Sequence, residues 1–223
     1  MNANLFSIEA WARSARNREI ALYASKNLHN ITPNDAILMI GGTHGDEPEG
    51  VRLAKDLLAH LSQKVSFKQD WVLIPNLNPD GYSERERRNG NLVDLNRNYP
   101  ASNWELSKSG DRYFSGPSPA SEPETKAVVG LIEQIKPKLI IHFHSWKPMI
   151  LYAGNSFAQD VAEQLGKSSK YEVKEDIGYP CPGSLSDWAW GDLKIPVICV
   201  EEKEGLTLDL VWGNYRDFML GFF

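Results

Sequence analysis

The stretch "GGTHGDEPEG", Gly41 to Gly50, holds His44 and Glu47 three residues apart, directly before Pro48. A proline biases the residue before it away from helical geometry, so Glu47 belongs in the turn with His44. Taken alone, the stretch fits a Gly-rich anion loop, a capped helix start or two-thirds of a metal site. A catalytic zinc site takes three protein ligands, often two His and one Glu, and keeps one position for water. The chain has five histidines, so few can be the third ligand. His29 lies in the polar "NLHNITPN", and His60 falls late in a helical stretch, where a cation suits the helix dipole. "LIIHFHSW" supplies His142 and His144, two apart and therefore on one face of a strand. His144, nearer the strand end and beside Ser145, is the better candidate.

Two further clusters complete a hydrolytic set. In "ERERRNGNLVDLNRNYP", Glu84 to Pro100, Asn96 and Arg97 place an amide beside a guanidinium. That pair suits the grip of a carboxylate in fork geometry. Arg87 is a second guanidinium in the same loop, fitted to polarise a scissile carbonyl and stabilise its oxyanion. "IPVICVEEKEG" ends an apolar run with Glu201 and Glu202, which strand alternation sends to opposite faces. A carboxylate at the end of a buried strand can have a raised pKa and serve as a general base toward metal-bound water. Glu202, Lys203 and Glu204 also read as a solvated strand end.

These residues need a scaffold that brings distant strand ends together. Strands are expected in "REIALYAS", "AILMIGG", "WVLIPN", "KLIIHFH", "MILYAG" and "IPVICVE", several of them apolar at almost every position. That pattern belongs to strands buried on both faces of a mixed or parallel sheet. Helices are expected over 49–61, 122–135, 157–165 and 209–220. Alternating strands and helices predict a three-layer α/β fold, and no composition shift divides it, so 1–223 reads as one catalytic domain. The segment from Asn76 to Ala120 lacks a sustained apolar period, and a stretch of that length is usually functional or disordered. Its repeated Asn and Arg residues favour function.

Composition narrows the class further. Hydrophobic residues make up 42% and charged residues 24% of the 223, with a net charge of −5. Those values suit a globular protein, and the lack of a basic run argues against nucleic acid. No apolar stretch reaches the ~20 residues of a membrane span. Glu9 and Arg13 sit where a signal peptide needs its apolar segment. Cys181 and Cys199 are too few for a disulfide framework. A cytoplasmic setting is the expectation.

Together the motifs resemble the zinc carboxypeptidase family of the M14 type. "THGDE" resembles its His-x-x-Glu metal motif, "NPDG" and "VDLNRNYP" its two central signatures, and "IIHFHSWKPMILY" its third-ligand strand. "ARSARNREI" is similar to an early "GRS…GR" stretch, so the likeness runs from Trp11 to about Glu202. The resemblance implies a mixed, about eight-stranded sheet flanked by helices. It implies one zinc on His44, Glu47 and His144, with Glu201 as base and Arg87 as the carbonyl-polarising arginine. Asn96 and Arg97 match the pair that holds a substrate carboxylate, and Tyr179 matches a substrate-capping tyrosine. Ser186 falls in the loop from Gly183 to Trp190 that would set specificity.

Within the family, "GTHGDE", "DLNRNYPASNW", "SEPETKAVVGLIEQIKP" and "GYPCPGSLSDW" are similar to the compact bacterial murein peptide amidases. The implied substrate is a small murein peptide, cut at the γ-D-glutamyl–meso-diaminopimelate bond. A homodimer is left open. "HFHSWKPMILYAG" is closer to general carboxypeptidases, and "CVEEKEG" lacks an apolar residue after the base. A general or D,L-specific carboxypeptidase is the first alternative. An N-acyl amino acid amidohydrolase of the aspartoacylase or succinylglutamate desuccinylase type is the second. A catalytically dead module that binds peptide termini is the third.

Overall fold

A computed structural model of the chain describes residues 5–223. Eight strands run as β1 (Phe6–Arg13), β2 (Glu19–Ala24), β3 (Ile37–Gly41), β4 (Trp71–Ile74), β5 (Leu139–Trp146), β6 (Met149–Ala153), β7 (Glu172–Lys174) and β8 (Val197–Lys203). The helices are α1 (Pro48–Leu61), α2 (Pro79–Glu84), α3 (Pro123–Ile135), α4 (Ser156–Ser169) and α5 (Leu208–Phe222). The strands form one mixed sheet in the order β1-β2-β4-β3-β5-β8-β6-β7. Its centre, β4-β3-β5-β8, is parallel, and β2 and β6 join it antiparallel.

All six expected strands and four expected helices are present. The two remaining strands lie at the sheet edges, where apolar patterning is weakest. β1 has no buried residue, and its register with β2 shifts between Ile8 and Ala12. β7 has only three residues.

Period-2 alternation divides the sheet into two faces. Ile37 and Met39 of β3 pack with Leu53, Leu57, Val161 and Val211, on the side covered by α1, α4 and α5. Leu38 and Ile40 face the other way, toward Val128 and Ile132 of α3, Tyr99 and Trp188. Helix–sheet–helix layering follows, as the sequence predicts.

The segment from Asn76 to Ala120 is ordered, although it has little regular structure. It holds α2 and a short 3₁₀ turn, Leu95–Arg97. Asparagine side chains supply the partners a ladder would otherwise give its backbone. Asn98 Nδ2 donates to the carbonyls of Ser115 and Ser118 at 2.8 and 3.0 Å. The "DWAWGD" segment, Asp187–Asp192, forms a wide π-helical turn on the α3 side. Among the described residues, no helix is long and apolar enough to cross a membrane.

Candidate active site and metal centre

The chemistry-bearing residues gather at the carboxyl ends of β3, β5 and β8. The chain leaves β3 through α1 to β4 on one side, whereas β5 pairs with β3 on the other. This is a topological switch point, where the strand ends of an open α/β sheet leave a crevice. His144 of β5 is in register with Glu201 of β8, and His142 with Cys199. Their neighbours in alternation, Phe143 and Val200, belong to the α1 side, so these four side chains share the α3 side of the sheet. Glu202 points to the opposite face, where its carboxylate meets the Tyr171 hydroxyl and Asn214 Nδ2.

The loop carrying His44 is held by backbone proximity. Gly42 has φ +66°, a left-handed conformation that disfavours a side chain. At Gly45 a Cβ would lie 1.9 Å from the carbonyl carbon of Gly81, so only glycine lets this loop meet α2. Asn78 of "NPDG" ties them: its Oδ1 caps α2 at Gly81 N, and its Nδ2 donates to the carbonyls of Thr43 and Arg87. Asp80 accepts from Arg16 N and pairs with Arg18 at 3.3 Å, which docks the "ARSARNREI" stretch onto the same support. Glu47 occupies the N-cap position of α1 with non-helical φ −111° and ψ 68° and no capping side-chain bond, and Pro48 opens the helix, as the dipeptide predicts.

His44, Glu47 and His144 converge. The two Nδ1 atoms lie 3.1 Å apart, and each is 2.7 Å from a different oxygen of Glu47. The outer nitrogens are engaged separately: His44 Nε2 with Asp94 Oδ1 at 3.0 Å, and His144 Nε2 with His142 Nδ1 at 2.9 Å. With protons on the outer nitrogens, both Nδ1 lone pairs face the Glu47 carboxylate at one buried point, and the carboxylate oxygens accept only from the rim, from Arg87 Nη1 and Ser145 N at 3.2 Å each. That arrangement calls for a cation, and two imidazoles with one carboxylate suit zinc. Burial and the Arg87 charge push His44 down, but Glu47 and Asp94 outweigh them and raise its pKa. Glu47 resists the upward push of burial and stays well below the usual carboxylate range, because His44 and His144 face it.

A second donor set, His142, His144 and Cys199, shares His144 with the first. Burial and the neighbouring Glu201 push the Cys199 thiol well above its usual pKa, so it is a poor thiolate ligand. The first set is the better metal centre. Glu201 belongs to neither set. It is buried and accepts a weak contact from Cys199 Sγ at 3.4 Å. Burial raises its pKa, helped by Glu47 and opposed by His144.

Arg87 reaches the same place from the 76–120 segment. Its Nε donates to Asp94 Oδ2 at 2.9 Å and its Nη1 to Glu47 Oε1 at 3.2 Å, leaving Nη2 outside these two contacts. Asn96, Tyr179, Ser186 and Glu201 line a cleft of about 680 Å³, together with His142, Cys181 and Cys199. That is a common size for a small-molecule site. Asn96 Oδ1 accepts from Leu185 N, so its amide nitrogen remains for a ligand. Arg97 is more enclosed than a fork grip needs: Nη1 donates to the Asn96 carbonyl and Nη2 lies 3.4 Å from Cys181 Sγ. Tyr179 is 42% exposed and meets Trp146 edge-on with centroids 5.9 Å apart.

Three residues at the site carry no role in the sequence-based expectations. Asp94 joins His44 to Arg87; its place in "VDLNRNYP" marked it as part of a motif, but the contact spans 50 positions. Tyr113 lies over both guanidiniums, 5.1 Å from Arg87 and 5.5 Å from Arg97. Cys181 lies beside Arg97 in the cleft wall. Nothing in the local patterns of Tyr113 or Cys181 announces these positions.

Comparison with known proteins meets this geometry. Residues 1–208 match the model of the Peptidase_M14 family, described as zinc carboxypeptidase. The chain belongs to the zinc carboxypeptidase family. It is accordingly an enzyme of peptidase or amidase type, which sets aside the non-catalytic binding module. It is 34% identical to murein peptide amidase A of Escherichia coli K12 over 175 residues, covering 74% of this chain and 69% of that protein. It is 31% identical to murein peptide amidase A of Vibrio campbellii over 198 residues, 84% of this chain and 77% of the relative. The structure of murein-tripeptide amidase from E. coli O157 superposes with a TM-score of 0.80 at 26% identity, covering 96% and 90% of the two chains. Carboxypeptidase A from Helicoverpa armigera shares the fold at a TM-score of 0.79 and 22% identity, over 96% of this chain and 66% of the other.

Proposed function

We propose that the protein is a zinc-dependent amidase that hydrolyses the γ-D-glutamyl–meso-diaminopimelate bond of murein peptides, with residues 1–223 acting as one catalytic domain around one zinc. The observation that carries this reading is the separation of roles at the strand ends. His44, Glu47 and His144 converge as a donor set, while Glu201 stands apart, buried and raised in pKa, on the wall of the cleft. Similarity to murein peptide amidase A supports the choice of substrate. A cytoplasmic setting goes with it, in which Cys181 and Cys199 remain free thiols.

His44, Glu47 and His144 hold the zinc, which when bound polarises the scissile carbonyl and acidifies water. Glu201 takes a proton from the attacking water and returns it to the departing amine. Arg87 directs its guanidinium at the oxygen that gains charge, anchored by Asp94 and Glu47. Asn96 Nδ2 receives the carboxylate of the C-terminal residue, and Arg97 joins it by turning from the Asn96 carbonyl and Cys181, with Tyr179 closing over it and Ser186 on the specificity wall.

Mass-spectrometric assay of murein tripeptide hydrolysis by wild-type, His44→Ala and Glu201→Gln proteins tests this. Wild-type hydrolysis with loss in both variants is expected, and turnover at wild-type rate in either variant rejects the assignment. A general or D,L-specific metallocarboxypeptidase would use the same catalytic residues. Ordinary C-terminal dipeptides and N-acetylaspartate as parallel substrates separate those activities.

A further inference from the structure

We propose that His142 is a positioning residue that fixes the tautomer and plane of His144 by accepting its Nε2–H at Nδ1. The inference rests on the reading of His144 as a zinc ligand. Strand alternation sets the two rings on one face, and they meet edge-on, with centroids 4.7 Å apart and planes at 89°. His144 Nδ1 faces Glu47 and His44, so a ligating lone pair there leaves the proton on Nε2. The partner waiting at that nitrogen is His142 Nδ1, at 2.9 Å.

The arrangement propagates outward. With Nδ1 accepting, the proton of His142 sits on Nε2, which lies 3.4 Å from Ser186 Oγ on the cleft wall. A hydrogen-bonded row then runs from the specificity wall through His142 to the metal ligand. His142 is 1% exposed, so in the native protein the His144 Nε2–H meets this imidazole rather than bulk water. A metal-bound imidazole needs such a partner to hold its ring, and loss of one typically costs 10–100-fold in metal affinity. The usual partner is a carboxylate, a carbonyl or water. Here Asp94 does this for His44 and an imidazole does it for His144.

Side-chain mimicry separates the two nitrogens of His142. Asparagine places its amide oxygen where Nδ1 stood, glutamine reaches instead toward Nε2, and leucine keeps bulk without an acceptor. Zinc dissociation constants, from competition with a chromophoric chelator, and spectra of the cobalt-loaded proteins are the readouts. His142→Asn is expected to stay within about threefold of wild type, whereas His142→Gln and His142→Leu lose about 10–100-fold and alter the cobalt spectrum. Wild-type affinity in His142→Leu, or equal loss in the Asn and Gln variants, overturns the proposal. Should the leucine variant fail to fold, the Asn-against-Gln comparison carries the test. Wild-type protein that binds no zinc rejects the metal reading itself.

Discussion

Glu201 and Glu202 are adjacent in sequence and differ in their surroundings because successive side chains of a strand face opposite ways. Glu201 enters the cleft, while Glu202 meets Tyr171 and Asn214 on the helix side. Glu201→Gln should keep zinc and lower kcat by about 10²–10⁴-fold, read by metal analysis beside steady-state kinetics. Burial raises the pKa of Glu201, and a general base works only when ionised. The acid limb of kcat/KM should therefore fall at a higher pH than the ordinary glutamate value of ~4.3 and vanish in Glu201→Gln. Asp94 has the opposite sign. Burial pushes its carboxyl up, but His44 and Arg87 hold it well below the usual range. Its stabilising contribution is full above the unfolded pKa of ~3.9 and fades as pH falls toward the lower folded value. Asp94→Asn should cost about 3–5 kcal/mol at neutral pH, with the gap to wild type narrowing in acid, by chemical denaturation. His44, Glu47, His144 and Glu201 were legible as candidates because each lies at, or a few residues beyond, the carboxyl end of a recognisable apolar strand. The anchoring role of Asp94 was not, since a contact across 50 positions is made by loop docking rather than by local pattern.

Among the elements, β3, β5 and β8 were readable because they are buried on both faces and nearly uniform in apolar residues. β1 and β7 are not readable, because an irregularly paired strand without a buried residue and a three-residue strand carry almost no periodic signal. The 76–120 segment was recognisable as aperiodic, yet its path was not, because asparagine side chains rather than a ladder hold it. Gly45 tests that docking. Its missing Cβ would stand 1.9 Å from the Gly81 backbone, which Asn78 fixes in turn. Gly45→Ala should destabilise the metal-free protein by about 1–3 kcal/mol, a fall in Tm of about 2–12 °C. The shift should also weaken zinc binding, because His44 is the preceding residue. Unchanged melting and zinc affinity would show that the His44 loop and α2 are less tightly coupled than their contact implies.

At the scale of the molecule, the sheet supplies rigid strand ends, and the α3 side supplies the 76–120 segment and the turn at 187–192 that wall the cleft. The candidate metal centre draws its donors from a loop after β3 and from the end of β5, so zinc binding there should stabilise the whole fold. At free zinc about 100-fold above Kd, the linkage adds about 2.7 kcal/mol, and a chelator should lower Tm correspondingly in calorimetry. The most direct test of the central claim follows murein tripeptide by mass spectrometry, with wild-type and Glu201→Gln proteins of measured zinc content. One zinc per chain is expected in both, with wild-type cleavage between γ-D-glutamate and diaminopimelate and a rate at least about 10²-fold lower in Glu201→Gln. Cleavage by Glu201→Gln at the wild-type rate, or by wild-type protein stripped of zinc, would contradict it.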